Sequence, residues 1–181
     1  MTNLPFRPLK SLWLLLPLLL SLGSCKKTAN LLSFKVEDSS TVNLPPTPTG
    51  SYTLPGIPVL STSANTYKNN NTQAKYVQDV TLDYLNMTLT APAGSNFDFL
   101  QSVSLEIASD ATGANKMLLA SLNPVPKGQT VIHLNPTTEK LDVYLRNDSY
   151  TLFTTAVLTQ PLKQTTTLKT DVRYSVRARQ P

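Results

Sequence analysis

One cysteine and one histidine bound the covalent chemistry open to this chain of 181 residues. A Ser-His-Asp or Cys-His relay would have to use His133, and one thiolate with one imidazole cannot assemble a cysteine-rich or histidine-rich zinc site. In QTVIHL, alternation places His133 on the face opposite Ile132 and Leu134, so an exposed or hydrogen-bonded structural role is expected of it. Carboxylates remain for acid/base work. Asp79 and Asp83 flank VTL, Asp98 sits in SNFDFL, and Glu106 occupies the polar phase of VSLEI. A glycosidase needs two carboxylates about 5–10 Å apart in a cleft, whereas these positions read as solvated strand faces and turn caps. Asp110 opens DATGAN, which superficially suggests a calcium loop. It is the only acid there, and calcium recruits several oxygens, so a β-turn is the better reading. The six glycines are scattered singly, without a phosphate-cradling loop, and neither metal nor cofactor is expected.

The last basic residues offer a different chemistry. Residues 163–181 hold Lys163, Lys169, Arg173, Arg177 and Arg179 against Asp171 alone, while residues 28–162 hold seven cations against ten acids. In TTLKTDVRYSVRA, Thr166, Leu168, Thr170, Val172, Tyr174, Val176 and Ala178 share one face; Lys169, Asp171, Arg173, Ser175 and Arg177 share the other. Lys169, Arg173 and Arg177 are therefore the candidate surface for an anionic partner, such as an acidic glycan, a lipid head group or an acidic envelope protein. The alternative is a solubilising outer face, or an edge strand guarded by charge.

Period-two alternation recurs throughout, threonine is abundant, and helix-period apolar runs are scarce. VSLEI and KMLLASL, separated by turn residues, predict a hairpin, and SYTLFTTAVL followed by the final strand predicts another. VTLDYLNMTLT changes phase between Tyr84 and Leu85, which a β-bulge would accommodate. LLSFKVE, IPVLST and QTVIHL predict further strands. In NPTTEKLDVYLRND, Asn135 as cap, Pro136 at the first helical position and Leu141, Tyr144 and Leu145 at helical spacing predict one short helix near residues 136–146. NLPPTPTG suggests a spacer and YKNNNTQ a surface loop. Many short strands with one helix predict an all-β, two-sheet antiparallel sandwich of immunoglobulin-like type spanning residues 31–181. From Val80 onward the strand pair, short helix and final hairpin resemble in pattern the late-embryogenesis-abundant type 2 sandwich.

Cys25 is explained by its neighbours. Arg7 and Lys10 precede the apolar run Ser11–Leu20, which is half the length of about 20 residues that a bilayer-spanning helix needs and is interrupted by Pro17. That is the shape of a secretory signal covering residues 1–24. Leu22-Gly23-Ser24-Cys25 resembles the lipobox of bacterial lipoproteins. The resemblance implies that the cysteine thiol is diacylated, that the leader is cut before Cys25, and that residues 25–30 form a lipidated tether with acyl chains such as palmitate. The leader, the cysteine and Lys26-Lys27 together resemble lipoproteins of the Bacteroidota. Lys26, where aspartate favours inner-membrane retention, implies the outer membrane, and the absence of an acidic cluster in KKTAN favours its periplasmic leaflet.

Cleavage would leave 157 residues with 14 cations against 11 acids, an excess too small to argue for nucleic acid. The function expected from the sequence is a non-catalytic envelope lipoprotein, membrane-tethered through Cys25, that binds a protein, glycan or lipid partner or serves structurally. The competing class is a glycan-processing hydrolase using Asp/Glu.

Overall fold

The computed structural model describes residues 31–181, so Cys25 and the leader lie outside the described residues. The strands are β1 (Leu31–Leu44), β2 (Gly50–Thr53), β3 (Ile57–Leu60), β4 (Val77–Ala91), β5 (Leu100–Ala108), β6 (Met117–Leu122), β7 (Val131–Pro136), β8 (Ser149–Leu158) and β9 (Thr166–Arg179). Two short helices, α1 (Ser63–Asn69) and α2 (Asp142–Leu145), interrupt them. All pairings are antiparallel. One half of the curled sheet runs β1-β9-β4-β7, and the other runs β6-β5-β8, with β2 and β3 both on the far side of β8. β7 belongs to both halves: Val131–Leu134 pair with β4, whereas Asn135 and Pro136 pair with Ser121 and Ala120 of β6. The protein is therefore the all-β antiparallel sandwich that its alternation predicts.

The final strand shows why the alternation is decisive. Each of the seven residues from Thr166 to Ala178 in the apolar phase is buried, and the intervening ones are half-buried or exposed. Burying each Val or Leu on such a face contributes about 1.5–3 kcal/mol. The two halves meet in one continuous apolar cluster, where Tyr150 of β8 and Tyr174 of β9 contact edge-to-face at 6.0 Å. The β5–β6 hairpin also forms as expected, with Val103 opposite Leu122 and Ile107 opposite Met117.

Several expectations need correction. β8 and β9 do not form a hairpin: β8 pairs with β2, β3 and β5, while β9 lies between β1 and β4, so the Thr159–Thr165 connection crosses from one half to the other. β9 finds a longer partner than β8 in β1, pairing with it over the full 14 residues, while β8 is held between β5 on one side and β2 and β3 on the other. The basic strand is consequently central rather than an edge. The β4 phase change is a bulge at Asp83, one residue earlier than the apolar pattern suggests. Leu82 and Leu85 both point inward, and Tyr84 stays on the outer face.

Asn43 and Leu44 end β1, Thr47 bridges to Leu162, and Gly50 begins β2, so the proline-bearing stretch is part of the fold and not a spacer. Tyr67 lies within α1, is buried, and donates its hydroxyl to the Leu145 carbonyl at 2.7 Å. Only Asn70–Gln73 of the expected loop is outside helix. The helix predicted near residues 136–146 shrinks to α2, because Asn135 and Pro136 are drawn into the β7–β6 ladder. Leu141, Tyr144 and Leu145 are buried as their spacing predicts. The Asp142 carboxylate does not cap α2's own helix but accepts the Val80 N–H at 2.7 Å, tying α2 to β4.

Candidate binding face

The outer face of β1-β9-β4-β7 brings together most of the charged residues singled out in the sequence. Register sets the rows. Ser33, Arg177 and Asp79 lie across from one another, as do Lys35, Ser175 and Thr81; next come Glu37, Arg173 and Tyr84, then Ser39, Asp171, Asn86 and His133. Arg173 donates its Nε–H to Glu37 at 2.7 Å, and its guanidinium lies 4.6 Å from the centre of the Tyr84 ring. The Glu37 hydrogen bond holds the Arg173 guanidinium above its already high range. Lys169 pairs with Asp171 at 2.8 Å, Arg177 approaches Asp79 at 3.9 Å, and Lys35 contacts both Asp83, at 3.0 Å, and the Ser175 hydroxyl, at 2.7 Å. Every cation of the predicted stripe thus has a carboxylate beside it. Such exposed pairs contribute about 0–1 kcal/mol each, yet they turn a basic stripe into a mixed-charge ladder.

The other candidates are placed as follows. His133 sits opposite Asn86, its Nδ1 at 2.6 Å from the amide oxygen, a cross-strand hydrogen bond on an exposed surface. Asp79 and Asp83 serve the ladder, and Glu106 pairs with Lys116 on the opposite half at 3.1 Å. Asp98 accepts the Gly128 N–H at 2.6 Å, tying two loops. Asp110 accepts from the Thr112 hydroxyl and N–H, which hold its carboxyl below its usual range; it caps a turn, as DATGAN predicts.

One polar residue is not singled out by the sequence pattern. Asp38 lies on the inner face of β1, 5% exposed, in phase with Phe34 and Val36. Its Oδ1 accepts the Thr62 N–H at 2.7 Å, and the Thr62 hydroxyl donates to the Glu37 carbonyl at 2.9 Å. These bonds fasten the outer strand β1 to the segment between β3 and α1, closing one side of the sandwich. Asp38 Oδ2 and the Tyr150 and Tyr174 hydroxyls have no hydrogen-bond partner among the described residues. Burial pushes both phenols well above their ordinary range, and the Asp38 charge adds to it. Tyr67 is pushed up to about 12, again mainly by burial. These tyrosines stay protonated at neutral pH. The inward phase of Asp38 is legible in alternation extended past Glu37, but the acidic, serine-rich run EDSS masks it.

A groove of about 480 Å³ crosses β1 beside the ladder, lined by Glu37, Ser39, Leu60, Thr62, Tyr84 and Asp171 among others. It combines an exposed leucine, an aromatic ring and carboxylates already engaged with cations.

No protein-family model matches the sequence, and no curated protein matches it. Among solved structures the chain is similar to that of turnip yellow mosaic virus at 13% identity, with 82% of this chain and 94% of that chain covered and a TM-score of 0.31. A second similarity is to desmodium yellow mottle tymovirus, at 11% identity, with coverage of 82% and 89% and a TM-score of 0.29.

Proposed function

We propose that the protein is a non-catalytic lipoprotein of a bacterial envelope, anchored through acylated Cys25, whose sandwich presents the β1-β9-β4 ladder to a protein partner. The observation that carries the anchor is LGSC following a basic and then an apolar segment, six residues before the first strand. Two or more acyl chains hold a protein on a membrane stably, where one holds marginally. The pairing of Lys169, Arg173 and Arg177 with Asp171, Glu37 and Asp79 selects the partner class. A polyanion would compete with carboxylates already in place, whereas a protein surface can answer a row of alternating charges with its own. The groove beside Leu60 supplies the apolar contact that a partner's side chain would cover.

Cross-linking in native membranes followed by mass spectrometry tests this reading. The expected result is a recurrent protein partner linked through residues around Lys35 and Lys169. Reversing one sign, with Glu37→Lys, should release that partner, and the swapped pair Glu37→Arg with Arg173→Glu should recover part of it. Recovery of the same partners by a folded Glu37→Lys variant and by the native protein would remove the ladder from the account. Recovery of acidic glycan alone would favour the basic residues acting as an anion site.

A further inference from the structure

The cations outside the ladder are distributed unevenly. Among the described residues, Lys68, Lys75, Lys127, Arg146, Lys163 and Arg179 form no ion pair. Four of these six, Lys68, Lys75, Arg146 and Arg179, gather at the end of the sandwich where β1 begins. Leu31 is opposite Arg179 in the register, and the Thr72 hydroxyl donates to the Arg179 carbonyl at 2.8 Å. Arg146 donates to the Val77 carbonyl at 2.8 Å, and Lys75 lies two residues before the start of β4. Lys68 and Arg146 line a recess of about 470 Å³ together with Asn71, Gln73 and Asp148. All four cations are exposed. The carboxylates near this end are Asp79 on β4, engaged by Lys140 and Arg177, Asp142, engaged by the Val80 N–H, and Asp110, Glu139 and Asp148 on the turns around α2 and after β5.

Chain length limits how far this end can stand from Cys25. Cys25–Asn30 is six residues, which reach no more than about 22 Å when fully extended. The same segment adds Lys26 and Lys27.

We propose that the Leu31 end of the sandwich is a docking surface for anionic lipid head groups, with Lys68, Lys75, Arg146 and Arg179 as its contacts. The proposal rests on the Cys25 anchor for bringing this end to a bilayer. The cations themselves are set by the fold. The surface orients the domain, holding the β1-β9-β4 ladder upright beside the membrane where a partner can reach it. Basic residues close to an anionic surface each raise partitioning about fivefold, and salt screens the effect.

The test uses the full chain, purified from membranes and incorporated into phosphatidylcholine vesicles with or without phosphatidylglycerol. A fluorophore is placed at Gln73→Cys, beside the recess, or at Gln160→Cys, at the opposite end, and energy transfer to a head-group acceptor is measured. Transfer from the Gln73 label should exceed that from the Gln160 label on phosphatidylglycerol vesicles, and high salt should reduce the difference. Lys68→Glu, Lys75→Glu and Arg179→Glu together should abolish it and lower the preference for phosphatidylglycerol at least about a hundredfold. Should that triple variant misfold, Lys68→Gln with Lys75→Gln should lower the preference about thirtyfold. Equal transfer from the two labels on phosphatidylglycerol vesicles, or no effect of the lysine variants, overturns the proposal. Mass spectrometry of Cys25 reads the anchor separately. A Cys25→Ala chain that keeps a lysine-dependent preference for phosphatidylglycerol would retain the docking surface even if native Cys25 carries no acyl mass.

Discussion

The two outer faces of the sandwich are built on one core but by different chemistry. On β1-β9-β4, opposite charges face each other across strands, as with Glu37 and Arg173 or Lys35 and Asp83. On β2-β8-β5-β6, the central row is Thr53, Thr155, Ser104 and Ser121, with the two threonine hydroxyls 3.2 Å apart, and Glu106–Lys116 is the charged pair beside it. Charges make a face that is sensitive to salt and to the sign of its partner; hydroxyls make one that is indifferent to both. The contrast teaches that the basic residues near the chain's end are one side of a ladder whose other side comes mainly from β1 and β4.

The support common to both faces gives the largest expected effect. Tyr174→Ala removes a fully buried ring that joins the halves, and should lower unfolding stability by about 3–5 kcal/mol in chemical denaturation. A comparable variant with unchanged stability would show that the faces are supported independently.

Alkali should act next. Tyr67 has its folded pKa raised above the ordinary 10.0 to about 12, so its neutral form is favoured by the fold. Between these values the unfolded chain has lost the proton and the folded chain retains it. Stability therefore falls as pH rises from about 10 to about 12, by about 2–3 kcal/mol from this group. Tyr67→Phe should flatten that part of the pH–stability curve, although Tyr150 and Tyr174 contribute with the same sign; an unchanged slope would contradict the assignment.

Gly56 sharpens the comparison on the hydroxyl side. A Cβ there would lie 2.7 Å from the Thr151 methyl and 2.8 Å from the Phe153 ring, so Gly56→Ala should destabilise by about 1–3 kcal/mol, independently of salt. The smallest effects come from the rows themselves. A double-mutant cycle on Glu37 and Arg173 should give a coupling of about 0.2–1 kcal/mol that shrinks at high salt. The same cycle on Thr53 and Thr155 should give a coupling no larger, and constant with salt. Equal salt dependence of the two couplings would erase the distinction between the faces.

Local pattern specifies much of this fold. Thr166 to Ala178 alternate so cleanly that their burial is set by the pleat alone, and the β5–β6 hairpin follows from two strands around a turn-rich loop. Pairing between distant segments is not legible in the same way. Nothing near Arg173 in the chain announces Glu37, which is 136 residues away, and β9 meets it only because β1 offers a matching length of strand. The expected β8–β9 hairpin does not form either, since adjacency in sequence competes with distant partners, β1 for β9 and β5 with β2 and β3 for β8. Tyr67 looks like loop because its neighbours are asparagine and threonine, while the signal for burial is its own ring. Of the candidate site, Lys169, Arg173 and Arg177 are legible as one face, but their neutralisation depends on register.

The anchor is the claim on which the placement of both surfaces depends. Cells expressing the native chain or Cys25→Ala are grown with an alkyne fatty acid, and incorporation into the protein is read after conjugation to a fluorophore. The native chain should be labelled and fractionate with membranes, and Cys25→Ala should carry no label. Equal labelling of the two, or no labelling of either alongside a labelled control lipoprotein, would contradict the account.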